Sequence, residues 1–200
     1  MALKRLLLLS GGMDSIALAW ALRPDLSLTI DYGQLAAAGE IRAAKAVCAE
    51  LGLCHRQLRI DCSEIGSGDM SGTAPSGIAP VSEWWPFRNQ LLVTMGAALA
   101  VKEGLDAVVI GTVSNDGSHA DGRTDFVRVL NELLKLQEGQ IAIEAPSIGE
   151  TTVELCRRVA IPHSVLGWAH SCHVSSFACG MCRGCCKHRE SMRELGFGEY

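Results

Sequence analysis

The sequence has no run rich in lysine or arginine, and its 200 residues carry a formal charge of −4. Proteins that wrap a nucleic-acid duplex normally show a basic face, so that class is excluded and a small or acidic substrate held by local groups fits better. Long apolar runs are missing as well. After Met1-Ala2-Leu3-Lys4-Arg5, the stretch from Leu6 to Leu9 ends in Ser10-Gly11-Gly12, which is too short for a signal peptide or a membrane span. With no export signal, a reducing, cytoplasmic compartment is expected. There the nine cysteines, an odd count, serve as metal ligands or core residues and not as disulfides. No internal repeat or low-complexity tract is present.

What is there is a chain of 48% hydrophobic residues, enough for one sizeable core. Residues 3–9 form an apolar run bounded by a turn, the pattern of a strand buried on both faces. A helix over 14–22 is stopped by Pro24, a strand spans 27–32, a helix over 36–51 ends at Gly52, and a strand spans 55–61. Further on, the pattern gives a helix over 89–103, a strand over 107–111, a helix over 123–138 and a strand over 140–146. Thr151 and Glu154 have capping-box spacing for one more helix, ending near 160. Strands alternating with helices predict an α/β fold with an open, doubly wound parallel sheet. The expected division is an α/β domain over 1–165 and a small zinc-binding appendage over 166–200, part of the same domain. Residues 62–83 form a long Gly/Ser/Pro-rich segment, expected to be a mobile lid over the active site.

The most informative local pattern is a strand, then Ser10-Gly11-Gly12-Met13-Asp14-Ser15, then a helix. Two glycines let the backbone turn tightly and aim successive N–H groups at an anion, while the helix N-terminus adds its positive dipole end. Ser10 and Ser15 can donate hydroxyls to the same anion. Asp14 is placed either to help hold Mg²⁺ or to cap the helix. There is no Gly-Lys-Ser/Thr and no third glycine at dinucleotide spacing, so the Walker and Rossmann fingerprints both fail.

Cys172, Cys179, Cys182 and Cys185 stand in C-x6-C-x2-C-x2-C spacing within a stretch rich in Gly, Ser and His. Four thiolates gathered by short loops suit tetrahedral zinc, which would be structural because protein ligands fill every position. Cys186 is a spare, and His170, His173 and His188 are substitutes for one ligand. An iron–sulfur cluster is the rival, but the cysteine it would need after a three-residue spacer is Arg189. Cys48, Cys54, Cys62 and Cys156 are scattered and suit small core positions.

The Ser10 to Ser15 loop resembles the SGGxDS loop of the ATP pyrophosphatase superfamily. Asp31-Tyr32-Gly33-Gln34, Phe87-Arg88-Asn89, Asp121-Gly122-Arg123, Ile143-Glu144-Ala145-Pro146 and Ser171-Cys172 follow in the order seen in the QueC family of 7-cyano-7-deazaguanine synthases. The resemblance spans nearly the whole chain. It implies an enzyme that adenylates the carboxylate of 7-carboxy-7-deazaguanine with ATP and Mg²⁺, releases pyrophosphate, admits ammonia to give an amide, and activates that amide again to reach the nitrile. It further implies that Ser10, Gly11, Gly12, Asp14 and Ser15 bind ATP, that Arg88, Asp121 and Arg123 are catalytic, and that Tyr32, Gln34 and Asn89 bind substrate. A homodimer is implied too.

Two departures stand beside the matches. Leu35-Ala36 replaces the family's usual Arg-His, and His119-Ala120-Asp121-Gly122-Arg123 replaces Tyr-Pro-Asp-Cys-Arg, one residue closer to Ser118. They keep open a second reading, a paralogue from a bacterial defence operon that passes the activated deazaguanine to another amine such as a protein N-terminus. A tRNA-modifying ligase would need a basic surface or an appended domain. A non-enzymatic zinc module leaves the Ser-Gly-Gly loop unexplained.

Overall fold

A computed structural model describes residues 3–114 and 119–198. Position 118, used in the spacing argument above, lies outside them. Five strands, β1 (Arg5–Leu8), β2 (Leu26–Asp31), β3 (His55–Arg59), β4 (Ala107–Val109) and β5 (Ala142–Glu144), form one sheet in the order β3-β2-β1-β4-β5. Every pairing is parallel, with Leu6 opposite Leu26 and Val108. Central β1 is buried on both faces, as its unbroken apolar run requires; Leu6 and Leu7 have no exposed surface.

Helices cover both faces. On one, Leu7 and Leu9 pack with α1 (Met13–Leu22), α2 (Ala37–Leu51), α5 (Thr152–Arg158) and α6 (His163–Leu166). On the other, Leu6, Leu28 and Ile30 pack with α3 (Arg88–Glu103) and α4 (Thr124–Lys135). The doubly wound expectation therefore holds. Because the chain winds outward from β1 in both directions, the topological switch lies between β1 and β4, where open α/β sheets leave a crevice at the strands' carboxyl ends. No helix among the described residues is long and apolar enough to cross a membrane.

Observed elements are shorter than the sequence patterns at most ends, since terminal turns lack ladder partners. Thr151 forms the expected capping box, its hydroxyl accepting from the Glu154 N–H at 3.2 Å while Glu154 accepts from the Thr151 N–H at 2.8 Å. The 62–83 segment contains a single short 3-10 turn, Ser63–Ile65. Two helices were not expected, α6 and the C-terminal α7 (Arg183–Glu194). Cys182 is the N-cap of α7, its sulfur accepting from the Cys185 N–H, and Met192 reaches the core beneath α1.

Candidate active site

A cavity of about 320 Å³ opens at the carboxyl ends of β1, β2 and β4. The loop after β1 forms one wall. Gly11 turns at φ +79°, and a Cβ there would lie 2.6 Å from the Glu40 carbonyl oxygen, so this position requires glycine for both conformation and space. The turn sends Gly12 into the N-cap of α1, with Ser10, Asp14 and Ser15 lining the cavity beside it. Ser10 Oγ lies 3.2 Å from Ser15 Oγ, and Ser15 donates to the Gly12 carbonyl at 3.0 Å. The N-cap position of α1 is Gly12, and Asp14 stands in the first turn of the helix.

Tyr32, Arg88 and Asn89 also line the cavity. Phe87 takes a left-handed conformation at φ 55°, a cost of about 1 kcal/mol for a bulky residue, and this bend starts α3 with Arg88 at the cavity wall. Burial pushes the Tyr32 phenol well above its usual range, against the opposing effect of the Arg88 charge. Trp85 meets the Tyr32 ring edge-on at 5.0 Å.

Four residues expected at the site lie outside the cavity wall: Gly11, whose tight turn shapes the loop from behind, and Asp121, Arg123 and Gln34. Asp121 accepts from the Asn89 backbone N–H at 3.0 Å, and its carbonyl accepts from Asn89 Nδ2 at 3.3 Å. It therefore caps the start of α3 and orients Asn89. Arg123 is the exposed N-cap residue of α4. Gln34 is only 4% exposed and is spent internally, on Ile30 O, Tyr32 N and Glu40. Leu35 and Ala36 are also outside the wall; Leu35 packs against Gly72 of the long segment, and Ala36 is buried.

Sequence patterns missed several groups that do line the cavity, among them Glu40, Glu83, Arg183 and Lys187. Glu83 comes from the long segment and meets Arg183 of α7 at 2.7 Å. Arg183 and Lys187 lie four apart on α7, a spacing that places both on one face, but without an expected helix that signal was invisible.

The four cysteines converge at the start of α7. Their Sγ atoms all lie within 4.8 Å of one another, with Cys179 to Cys185 and Cys172 to Cys182 each at 3.9 Å. Metal–sulfur bonds of about 2.3 Å place tetrahedral ligands about 3.8 Å apart, so the set fits a single tetrahedral cation. A four-iron cube, with each thiolate on a different iron, spreads its ligands further. Backbone N–H groups of Met181 and Cys182 hold the Cys179 thiol down at about 6, favouring the thiolate that binds metal. Burial pushes Cys185 the other way, up to about 12, so a nearby cation is needed to hold Cys185 as a thiolate beside Cys179. Gly184 lets α7 start against the preceding strip, since a Cβ there would meet the Ser171 carbonyl at 1.9 Å. Ser171, Cys172 and His173 of that strip line the cavity, and the His170 N–H donates to the Gly11 carbonyl at 2.8 Å, so the cysteine-rich segment is built against the phosphate-type loop.

The model of the family described as queuosine biosynthesis protein QueC matches residues 4–196. A 7-cyano-7-deazaguanine synthase from Desulforudis audaxviator is 31% identical, with 97% of this chain and 98% of the relative aligned. One from Nitratiruptor sp. is also 31% identical, over 92% of this chain and 90% of the relative. Among solved structures, the U34-tRNA thiolase NcsA from Methanococcus maripaludis with its [4Fe-4S] cluster aligns at a TM-score of 0.53 and 16% identity. That alignment covers 98% of this chain and 65% of the thiolase, and it speaks to the fold alone. The family model over nearly the whole chain and these relatives agree: this chain belongs to the QueC family.

Proposed function

We propose that the protein is an ATP-dependent ligase that adenylates the carboxylate of 7-carboxy-7-deazaguanine, releases pyrophosphate, and passes the acyl group to ammonia, giving the amide and then 7-cyano-7-deazaguanine. The observation that carries this reading is that Ser10, Gly12, Asp14 and Ser15 of the loop line a single cavity together with Arg88. A carboxylate is a poor electrophile until its oxygen becomes a leaving group, and attack on the α-phosphate of ATP achieves that. The loop's N–H groups and the α1 N-terminus stabilise the departing pyrophosphate, with Mg²⁺ held in part by Asp14. Arg88 balances charge at the reacting phosphate, and Asn89 orients the deazaguanine, itself held by Asp121.

Zinc is the cation we assign to Cys172, Cys179, Cys182 and Cys185. With four protein ligands it supplies structure and leaves no open position for substrate. Its role is to fix α7, and so Arg183 and Lys187, at the cavity.

Transfer to another amine, including a protein N-terminus, is the second reading. It rests on His119, which lines the cavity and belongs to the segment that departs from the family's usual sequence. Mass spectrometry of the products formed from ATP, Mg²⁺, 7-carboxy-7-deazaguanine and ammonia tests both. Nitrile supports the first, a protein adduct without nitrile supports the second, and ADP with phosphate as the only nucleotide products overturns both.

A further inference from the structure

Glu40 stands in the first turn of α2 and lines the cavity. Its Oε2 accepts from Gln34 Nε2 at 2.7 Å. Gln34 cannot turn away without loss, because Nε2 also donates to the Ile30 carbonyl at 3.1 Å and Oε1 accepts from the Tyr32 N–H at 2.8 Å. A fully satisfied, buried amide therefore holds one carboxylate oxygen, and among the described residues no hydrogen bond reaches the other.

The position is at the reaction centre of the proposed chemistry. The Glu40 backbone touches the phosphate-type loop where Gly11 makes room for it, and the Arg88 charge acts on its carboxyl from α3. A half-buried acid with no chemical task is a feature most folds avoid, since hydrophobic residues fill such space more favourably. Here the acid faces a cavity in which nitrogen must lose protons.

We infer that Glu40 is the general base of the nitrogen-transfer steps, and that Gln34 is the positioning residue that aims it. The inference rests on the ligase reading above. In the first step the amine nitrogen bonds to the acyl carbon, the carbon–oxygen bond to AMP breaks, and AMP leaves with that electron pair. The surplus proton on nitrogen passes to Glu40 Oε1 and from there to water. In the second step the amide oxygen bonds to the α-phosphate of another ATP, the bond between the α-phosphate and the bridging oxygen breaks so that pyrophosphate leaves with that electron pair, and nitrogen loses one proton to Glu40. Nitrogen then loses its last proton as the carbon–oxygen bond to AMP breaks and the nitrile forms. Both steps need a base of intermediate strength, and burial, the largest influence on Glu40, raises its carboxyl to about 7. Gln34 and the Arg88 charge oppose that rise, and the Asp31 charge adds to it.

Separating the two half-reactions tests the assignment. Substrate-dependent ATP–pyrophosphate exchange reports adenylation alone, and amide formation from ammonia reports both steps. Glu40→Gln keeps an oxygen for the Gln34 amide, so exchange is expected within about threefold of the unaltered protein while amide formation falls about a hundredfold or more. Gln34→Ala should show a smaller loss confined to the same step, and added formate should restore part of the amination in Glu40→Ala. Equal loss of exchange and amination in Glu40→Gln overturns the base assignment in favour of a binding role, and unchanged amination overturns it outright. Absence of exchange by the unaltered protein overturns the proposed reaction, and the base assignment with it.

Discussion

Arg183, the residue after Cys182, donates to Glu83 at 2.7 Å and so ties the cysteine-rich segment to the far end of the long 62–83 segment. Glu83 is nearly buried, with 7% of its side chain exposed against 51% for Arg183. An acid so placed depends on its partner, because removing the cation leaves a desolvated charge. Both residues line the cavity, so the pair joins two of its walls.

Glu83→Gln should therefore loosen the 62–83 segment over the cavity. Limited proteolysis is expected to cut within that segment several-fold faster, and KM should rise several-fold with less change in kcat. Reversing both charges, Glu83→Arg with Arg183→Glu, should restore part of the protection. Cleavage rates unchanged in Glu83→Gln would show that the pair does not hold the segment.

Cys182 has two tasks that one substitution can separate. Its sulfur caps α7 and belongs to the four-thiol cluster. Serine is a good N-cap but a poor metal ligand, so Cys182→Ser keeps the cap and loses the metal. Elemental analysis should find about one zinc per chain in the unaltered protein and none in the variant. Hydrogen exchange should rise across 171–194 while the β1 and β4 amides stay protected. Iron with inorganic sulfide in the unaltered protein would overturn the zinc assignment.

The centre of the sheet was legible because β1 and β4 are continuous apolar runs and β2 is largely apolar, whereas β3, His-Arg-Gln-Leu-Arg, carries no such pattern; the Ser10 to Ser15 turn was legible because only a few residue types satisfy its geometry. Glu40 was not legible. A single acid in the first turn of an Ala-rich helix reads as a complement to the helix dipole, and only the sheet order brings that turn against Gly11. For Gln34 the motif pointed to a site, and the structure adds what the sequence could not give, that its amide bonds to the Ile30 and Tyr32 backbone and to Glu40. The α7 helix was hidden because its buried face is made of Cys185, His188 and Ser191 as well as Met192, residues whose burial depends on the cluster and cavity beside them.

Gly11→Ala should be far more damaging than its single methyl suggests. The φ of +79° disfavours any side chain, and the new Cβ would meet backbone, which cannot swing aside. ATP binding measured by calorimetry is expected to weaken at least tenfold, with the sheet still folded by circular dichroism. Binding within twofold of the unaltered protein would mean that the loop tolerates a different turn.

Thr151→Ala removes the side-chain half of the capping box, the hydroxyl that accepts from the Glu154 N–H, at a site outside the cavity, and leaves the backbone N–H that donates to Glu154. The expected loss is about 1 kcal/mol, or a fall in Tm of roughly 2–4 °C for a domain of this size. Turnover below the new transition should change little. A large loss of activity without a shift in Tm would assign Thr151 a role in the reaction.

Glu40 should make the fold less stable as pH rises, the reverse of an ordinary ion-paired carboxylate. Its carboxyl is raised in the folded protein to about 7 by burial, so the native state binds a proton that the unfolded chain releases near the usual carboxylate range. The stability it contributes is fully present below that range and is lost as pH climbs through about 7. Complete loss is worth on the order of 3 kcal/mol, an upper bound because the carboxyl keeps contact with the cavity. The buried histidines tilt the curve the other way: burial lowers His173 and His188, which then cost stability as acid charges the unfolded chain's histidines. The profile of the unaltered protein alone therefore does not isolate Glu40. The difference between Glu40→Gln and the unaltered protein does, since the histidine contributions cancel. Urea unfolding at pH 5 and at pH 8 should show the variant gaining stability relative to the unaltered protein at pH 8, by up to the bound above. A difference that is flat between the two pH values would place Glu40 in a solvated environment and remove the physical reason for its raised carboxyl.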